Sequence, residues 1–356
     1  MPSLGSRHDV VVVGAGPAGL TAATTLRTAG LDVVCVEARD RFGGRLASID
    51  GYDLGATWFW DGEQRVAELV AQLGVPAFEQ HRTGDAIMQD RTGIRRITGN
   101  PIDAPAYRFE SGAHALAAGL AARLPEAALR LSTPVTRIRL VSEMVQIDTP
   151  SGTLRAAQVV LAVPPALAVA RIDFSGDLGP DLIRLAEATP VWMGAIAKVV
   201  AGYRTPFWRT RELAGAAISH TGPLRETHDM SGPHGGRAAL FGFAAAGALG
   251  HGFAASVTSQ LARLFGPEAA EPTTLHVQDW SAEQWTSPAG VGNLTDYRLL
   301  GHPRYRQPAL AGRLHWASTE TAADYAGHIE GALYAGRQAA TAVLTAHAGA
   351  AEAKIG

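Results

Sequence analysis

One cysteine, two lysines and no apolar run of membrane length set the first limits on this 356-residue chain. The lone thiol, Cys35, excludes an internal disulfide framework, which fits a reducing compartment. No stretch reaches the roughly 18 apolar residues that a spanning helix requires, so no membrane anchor is expected. The opening MPSLGSRH leads straight into a strand pattern, and a cytoplasmic protein is the expectation. Charge of one sign is missing too. A formal net charge of −2 builds no field suited to nucleic acid, so no nucleic-acid partner is expected. His220, His228, Asp229 and His234 stand in a Gly/Pro-rich stretch without tight ligand spacing. They read as exposed loop residues, and no metal site is expected. No nucleophile elbow or pair of catalytic carboxylates stands out.

What is present is ordinary globular material. Apolar residues make up 47% and charged residues 18%, enough for a large core, and the length favours two domains. Residues 9–13 form a continuous run of mostly valine, the mark of a strand buried on both faces. A helix over 20–29 and a second strand over 31–36 complete a βαβ unit with a short crossover. Helices are expected over 64–73, 113–124, 253–265 and 331–346. Short strands and loops fill 78–105. Strands are expected within 134–147 and 153–163, around a Ser151-Gly152 turn, and at 195–201, 238–246 and 314–317.

The βαβ unit carries Gly14-Ala15-Gly16-Pro17-Ala18-Gly19 at its first turn. Gly14 permits the tight exit from the strand. Gly16 lets a pyrophosphate approach the backbone, and Gly19 lets the helix pack closely. The helix start, at Pro17 and Ala18, offers free N–H groups and a positive dipole end to phosphate. Glu37, 18 residues beyond Gly19 and ending the second strand, is placed to bind ribose hydroxyls, with Ala38 and Arg39 beside it. This is a dinucleotide site of Rossmann type, and the pattern alone leaves NAD and FAD open.

The choice comes from Arg41-Phe42-Gly43-Gly44-Arg45. Here the chain resembles the flavin-containing amine oxidase family, whose relatives include protoporphyrinogen oxidases and carotenoid desaturases. The resemblance implies FAD, with Gly43 and Gly44 along the pyrophosphate and Arg45 paired to phosphate charge. Gly55-Ala56-Thr57-Trp58 resembles the turn that passes near the flavin ring, and Val135 the valine that contacts adenine. Residues 193–208 resemble the family's apolar run with a lysine followed by Pro206-Phe207-Trp208, and Trp280 with Trp285 its spaced aromatic pair. Thr319-Glu320, then Gly327-His328-Ile329 and Ala332, resemble the C-terminal signature whose helix start lies under the flavin. The matching pieces cover about two-thirds of the chain, in family order, and suggest a short bacterial-type member.

Lys198 stands apart on its own chemistry. A lysine in Ala-Ile-Ala-Lys-Val-Val-Ala is costly if its head is buried, and burial lowers its pKa. In a chain that otherwise uses arginine, the position calls for an ammonium-sized donor. The resemblance implies that it holds a water at the flavin N5 edge and assists reaction with oxygen. The alternative is an edge-strand lysine reaching out to solvent.

Three departures qualify the resemblance. Ala289 stands where covalent members carry the cysteine that binds flavin, so the FAD is expected to be noncovalent. Gly290 and His328 stand where family members flank the amine with two tyrosines. Trp58, Phe59, Trp60, Trp285 and Tyr325 are candidates to rebuild the ring faces, and His328 to orient substrate or transfer a proton. The segment between Phe78 and Tyr107 is short, so the substrate pocket is expected to be shallow, open, or closed by a second subunit in a homodimer.

The resulting expectation is a two-domain FAD-binding Rossmann-like α/β fold, with a discontinuous FAD domain and a smaller α+β substrate domain. The FAD domain comprises 1–78, 110–165 and 280–346, the substrate domain 79–109 and 166–279, and 347–356 is a mobile tail. The implied reaction is oxidation of a small-molecule amine by hydride transfer to flavin N5, with O2 as acceptor giving imine and then aldehyde and H2O2. Lys198 and His328 are the expected catalytic residues. The missing catalytic triad fits, because flavin carries the redox chemistry itself. An FAD-dependent desaturase or dehydrogenase acting on a biosynthetic intermediate is the alternative. A flavin-binding protein whose amine-oxidising site has decayed is a third reading.

Overall fold

The structure is a computed structural model and describes residues 6–352; Lys354 and the rest of 353–356 lie outside them. The strand Arg7–Val13, the helix Pro17–Thr28 and the strand Val33–Val36 form the expected βαβ unit. These strands pair in parallel, Val10 with Val33 through Val13 with Val36. Gly152–Leu161 pairs in parallel on the other side of the first strand, and Leu314–Trp316 pairs in turn with Gly152–Leu161. The hairpin of Arg137–Val141 and Met144–Thr149 extends the sheet antiparallel, and Leu129–Arg130 adds the far strand. One seven-stranded sheet is thus drawn from the beginning, middle and end of the chain.

The continuous valines of the first strand are explained by what covers them. Val10 and Val12 pack with Leu20, Leu26, Leu116 and Leu333 on one face. Val11 and Val13 pack with Ile138, Ile147, Leu182 and Trp316 on the other. All four valines are buried, each contributing roughly 1.5–2 kcal/mol, so neither face tolerates a polar alternation.

A second seven-stranded sheet is almost wholly antiparallel. In order it holds Thr274–Asp279, Ile196–Gly202, Ala239–Ala245, Leu224–Asp229, Leu213–Ser219, Asp85–Asp90 and Gly93–Ile97. The strand of Lys198 is therefore interior, with Phe243 opposite on one side and Gln278 on the other. This removes the reading of Lys198 as an edge-strand residue.

Some elements escape the sequence pattern. Leu213–Ser219 is built of small residues with Gly215 at φ +79°, and Leu224–Asp229 is largely polar. Tertiary pairing, not local propensity, makes them strands. Pro165 does not merely end a strand; it opens the helix Pro165–Arg171 from the first-turn position, where its missing N–H costs nothing. The last helix runs Ile329–Glu352, past His347, where the sequence suggested a mobile tail. Its alanines sustain helix through Gly349.

His228 and Asp229 require a correction. They are buried on a strand, not exposed on a loop. His228 Nδ1 lies 2.5 Å from Asp103 Oδ1. Asp229 accepts from the Trp208 indole at 2.8 Å and from Arg209 at 2.9 and 3.0 Å. They lock the second sheet to its neighbouring segments.

Candidate active site

A cavity of about 360 Å³ receives walls from both sheets and from the start of the last helix. At one end lies the glycine turn. Gly14, at φ +101°, has no room for a side chain, since a Cβ would stand 2.6 Å from the Ala162 carbonyl oxygen. Gly19 is fixed by packing, because a Cβ there would meet the Gly14 carbonyl oxygen at 1.9 Å. Gly16 differs. Its φ of −76° suits any residue, and a Cβ would meet no protein atom within 4 Å. It lines the cavity, so the side chain it lacks would project toward whatever the cavity holds. Pro17 and Ala18 open the helix beside it, and no side chain caps that terminus. This is a cradle for an anion at a helix start.

The neighbouring segments are tied to this turn. Gly43 N–H donates to the Ala15 carbonyl at 2.8 Å, and Gly44 comes so near that a Cβ would be 3.3 Å from Gly16 Cα. The buried Glu37 carboxylate accepts from Ala15 N–H at 2.8 Å and from Arg39 N–H at 3.0 Å. Arg39 reaches Thr286 Oγ1 at 2.7 Å. The backbone of Thr133 donates to Glu37 at 2.7 Å, which brings Val135 to the same end.

Arg45 lines the cavity, but its guanidinium is already engaged. It forms a bidentate pair with Glu320 at 2.7 and 3.0 Å and donates to the Trp192 carbonyl at 2.9 Å. Glu320 is wholly buried behind the wall and also accepts from Trp192 N–H at 3.1 Å. This ion pair joins the Gly43-Gly44 turn to the C-terminal signature and holds the guanidinium at the cavity wall, where pairing with phosphate is still open to it.

At the other end the wall is aromatic, with Trp58, Trp60, Trp192 and Phe243, and Lys198 opens onto it. Lys198 is 1% exposed. Its Nζ donates to the Gly55 carbonyl at 2.8 Å and to Thr57 Oγ1, and it sits 4.4 Å from the centre of the Phe241 ring. Burial lowers its pKa to about 7; the buried Asp53 carboxylate opposes that shift and the Arg108 guanidinium adds to it. Gly55 tolerates no side chain, since a Cβ would lie 1.8 Å from the Arg45 carbonyl oxygen.

His328, at the start of the last helix, also faces the cavity, and its Nδ1 lies 2.5 Å from Glu63 Oε1. Thr319 Oγ1 binds this start, accepting from Gly327 N–H at 2.8 Å and donating to the His328 carbonyl at 2.9 Å.

Most sequence-chosen residues thus come together. Gly14, Gly16, Glu37, Ala38, Arg39 and Gly44 line one end, with Val135. Ala56, Trp58, Trp280 and Trp285 also line the cavity, as do Thr319, Gly327, Ile329 and Ala332. Gly19, Gly43, Thr57 and Glu320 stand behind the wall and hold it in shape. Gly290 is exposed on a turn off the wall, so it does not face His328 across the cavity. Phe59 is also off the wall, buried between Tyr107 and Phe109, and Tyr325 stands outside beside His328. The sequence reading missed Glu63, Trp192, Glu226 and Phe243. Trp192 and Phe243 carry one usable signal, as chain or strand neighbours of the lysine segment; Glu63 and Glu226 carry none.

Comparison with known proteins identifies the family. The family model described as flavin containing amine oxidoreductase matches residues 17–109 and 85–344. A probable flavin-containing monoamine oxidase A of Dictyostelium discoideum is 27% identical over 92% of this chain and 96% of its own length. A putrescine oxidase of Kocuria rosea is 27% identical, covering 95% of each chain. An L-amino acid dehydrogenase of Synechocystis sp. is 32% identical over 66% of this chain and 50% of its own length. The Dictyostelium alignment spans 443 positions against the 356 residues here, so that relative carries insertions. Among solved structures, a putrescine oxidase bound to putrescine superposes with a TM-score of 0.83 at 24% identity, covering 95% of this chain and 99% of that one. A cyclohexylamine oxidase from Brevibacterium oxydans does so with 0.81 at 22% identity, covering 94% and 98%. No described helix is long and apolar enough to cross a membrane. The chain belongs to the flavin containing amine oxidoreductase family and is a flavin-dependent amine oxidoreductase.

Proposed function

We propose that the cavity holds FAD noncovalently and that the protein is an oxidase of small primary amines. The observation that carries the cofactor is Gly16, whose absent side chain is required by neither backbone angle nor protein packing. Its place at an uncapped helix start suits a pyrophosphate. Glu37 would hold the ribose and Val135 the adenine. Ala289, exposed and off the cavity wall, offers no thiol for attachment. FAD, when bound, would supply the two-electron acceptor for the substrate C–H bond, with O2 as the final acceptor. Lys198 would hold a water and assist the oxygen reaction, while Trp58, Trp60 and His328 shape the substrate face. The FAD domain would comprise 1–78, 110–165 and 280–346, and the substrate domain 79–109 and 166–279.

Glu226 supports a narrower substrate class. It lines the cavity, and Phe243 is its partner across one strand pair and that of Lys198 across the next. Glu226 and Lys198 therefore share one face, roughly 10 Å apart along the strand-to-strand direction. No described side chain pairs with the Glu226 carboxylate. It suits a second cationic group on the substrate, as in a short diamine such as the putrescine of the relatives above.

The purified protein should be yellow, and FAD should leave it on denaturation. Putrescine, benzylamine and cyclohexylamine should be tested for anaerobic bleaching and for peroxide in air. Bleaching that persists in air, without peroxide, would replace the oxidase with a dehydrogenase. Absence of bleaching by every amine would remove the substrate class.

A further inference from the structure

We propose that Glu63 and His328 form an acid–base dyad that removes the proton from the substrate's ammonium group. This rests on the amine-oxidising reading above and names the group that prepares the amine. An alkylammonium ion loses its proton only near pH 10 and has no lone pair at neutral pH. Hydride cannot leave the adjacent carbon until that lone pair is free to form the C=N bond. A base in the cavity answers this need.

Three groups near the aromatic end could serve, and geometry separates them. Lys198 Nζ is engaged with Gly55 and Thr57, buried against the wall. Glu226 is a carboxylate, a weak base at neutral pH. His328 has a side chain 34% exposed and faces the cavity, with the Glu63 carboxylate 2.5 Å behind its Nδ1. A carboxylate only accepts, so Nδ1 carries the ring proton and Nε2 keeps its lone pair.

The dyad is fixed at both members. Glu63 is 1% exposed, and its second oxygen accepts from Trp60 N–H at 3.2 Å. Trp60 lies 5.0 Å from the His328 ring, limiting its swing. The other charges near the ring are accounted for. Glu330, on the same helix, is taken by Arg65, with Arg65 Nη1 at 2.8 Å and the Val66 N–H at 2.9 Å. Asp61, on the adjoining turn, is turned to Tyr107. Asp324 is exposed, and Tyr325 is 6.1 Å away, ring to ring. His328 sits at a helix N-terminus, and the Glu63 carboxylate against its Nδ1 faces the positive end of that helix.

The step balances. Nε2 forms a bond to an ammonium proton, the N–H bond breaks, and its electron pair stays on the amine nitrogen. The resulting imidazolium is paired with the Glu63 carboxylate. The freed pair is then available to form C=N when the adjacent carbon gives up its hydride, for which bound flavin would be the acceptor, and the proton later returns to water. His328 is the catalytic base and Glu63 a positioning residue.

The test is the pH dependence of anaerobic bleaching in the holoenzyme, using the fastest of putrescine, benzylamine and cyclohexylamine. In the wild type, the rate should rise through a limb well below the amine's own pKa. His328→Asn should be about 100-fold slower at pH 7 and recover most of the loss near pH 10, where the amine is already neutral. Glu63→Gln should move the limb to lower pH. A second readout needs no turnover. The imidazole Cε1–H resonance lost in His328→Asn should titrate at lower pH in Glu63→Gln than in wild type. An unchanged limb in His328→Asn, or an unchanged titration in Glu63→Gln, overturns the dyad alone. A wild-type protein that no amine bleaches overturns the amine-oxidising reading and the dyad with it.

Discussion

The Nζ of Lys198 donates to the carbonyl oxygen of Gly55 at 2.8 Å, joining an interior strand of one sheet to the turn that lines the cavity. On the proposed reading, the ammonium held at this turn would act on a water or on oxygen at the same wall. Lys198→Met should therefore keep its FAD and slow the return of yellow colour after amine reduction by tenfold or more. Stopped-flow mixing with O2 measures this directly. An unchanged rate would leave Lys198 as a structural tie between the two elements.

The same lysine should write itself into stability. Its pKa falls from 10.5 to about 7 on folding, with burial the main cause. Between these values the unfolded chain binds the extra proton, so stability should rise with pH across that window. Below pH 7 both states are protonated and the burial penalty is complete. Lys198→Met should thus stabilise the holoprotein by roughly 2 kcal/mol at pH 6, with the gain shrinking towards pH 10. Denaturant melts at several pH values give the trend.

Two glycines three residues apart should fail in different ways. Gly16→Val adds a side chain that meets no protein atom, so the variant should fold with an unchanged apoprotein melting temperature and lose FAD. Gly19→Ala drives a Cβ against the Gly14 carbonyl oxygen, and should lower the melting temperature before any cofactor is considered. Comparing apoprotein melting with flavin content separates the two.

Arg45 and Glu320 should behave as one unit. Arg45→Met leaves a fully buried carboxylate without its partner and should cost about 3–5 kcal/mol. Adding Glu320→Leu should recover much of that loss, because no buried charge then remains. Urea midpoints of the two single variants and the double variant close the cycle.

Glu226→Gln should change preference more than rate. The KM for putrescine should rise about tenfold or more, while benzylamine, with a single cationic group, should be little affected. Equal effects on both amines would remove Glu226 from substrate recognition.

The legibility of this molecule follows the range of its contacts. The helix Gln64–Leu73 and the helix Phe253–Phe265 were readable to the residue, because each ends at a glycine and carries one apolar stripe. The strand Leu224–Asp229 was unreadable, since its polar residues become a strand only when Phe241 and Phe243 pair beside it. Its His228 was misplaced for the same reason: nothing near it in the chain announces Asp103, 125 positions away.

The sequence by itself determined the glycine-turn end of the cavity. Gly14, Gly16, Gly19 and Glu37 act within one contiguous βαβ unit, where backbone angle, close packing and helix start are local properties. Only the tertiary structure decided the rest. Arg45 and Glu320 are 275 positions apart, and Glu63 and His328 are 265 apart. The structure gave Arg45 a buried carboxylate as partner and gave a solitary histidine its own. Charges choose partners by distance in space, and burial raises the stakes of that choice, so no reading along the chain could assign them.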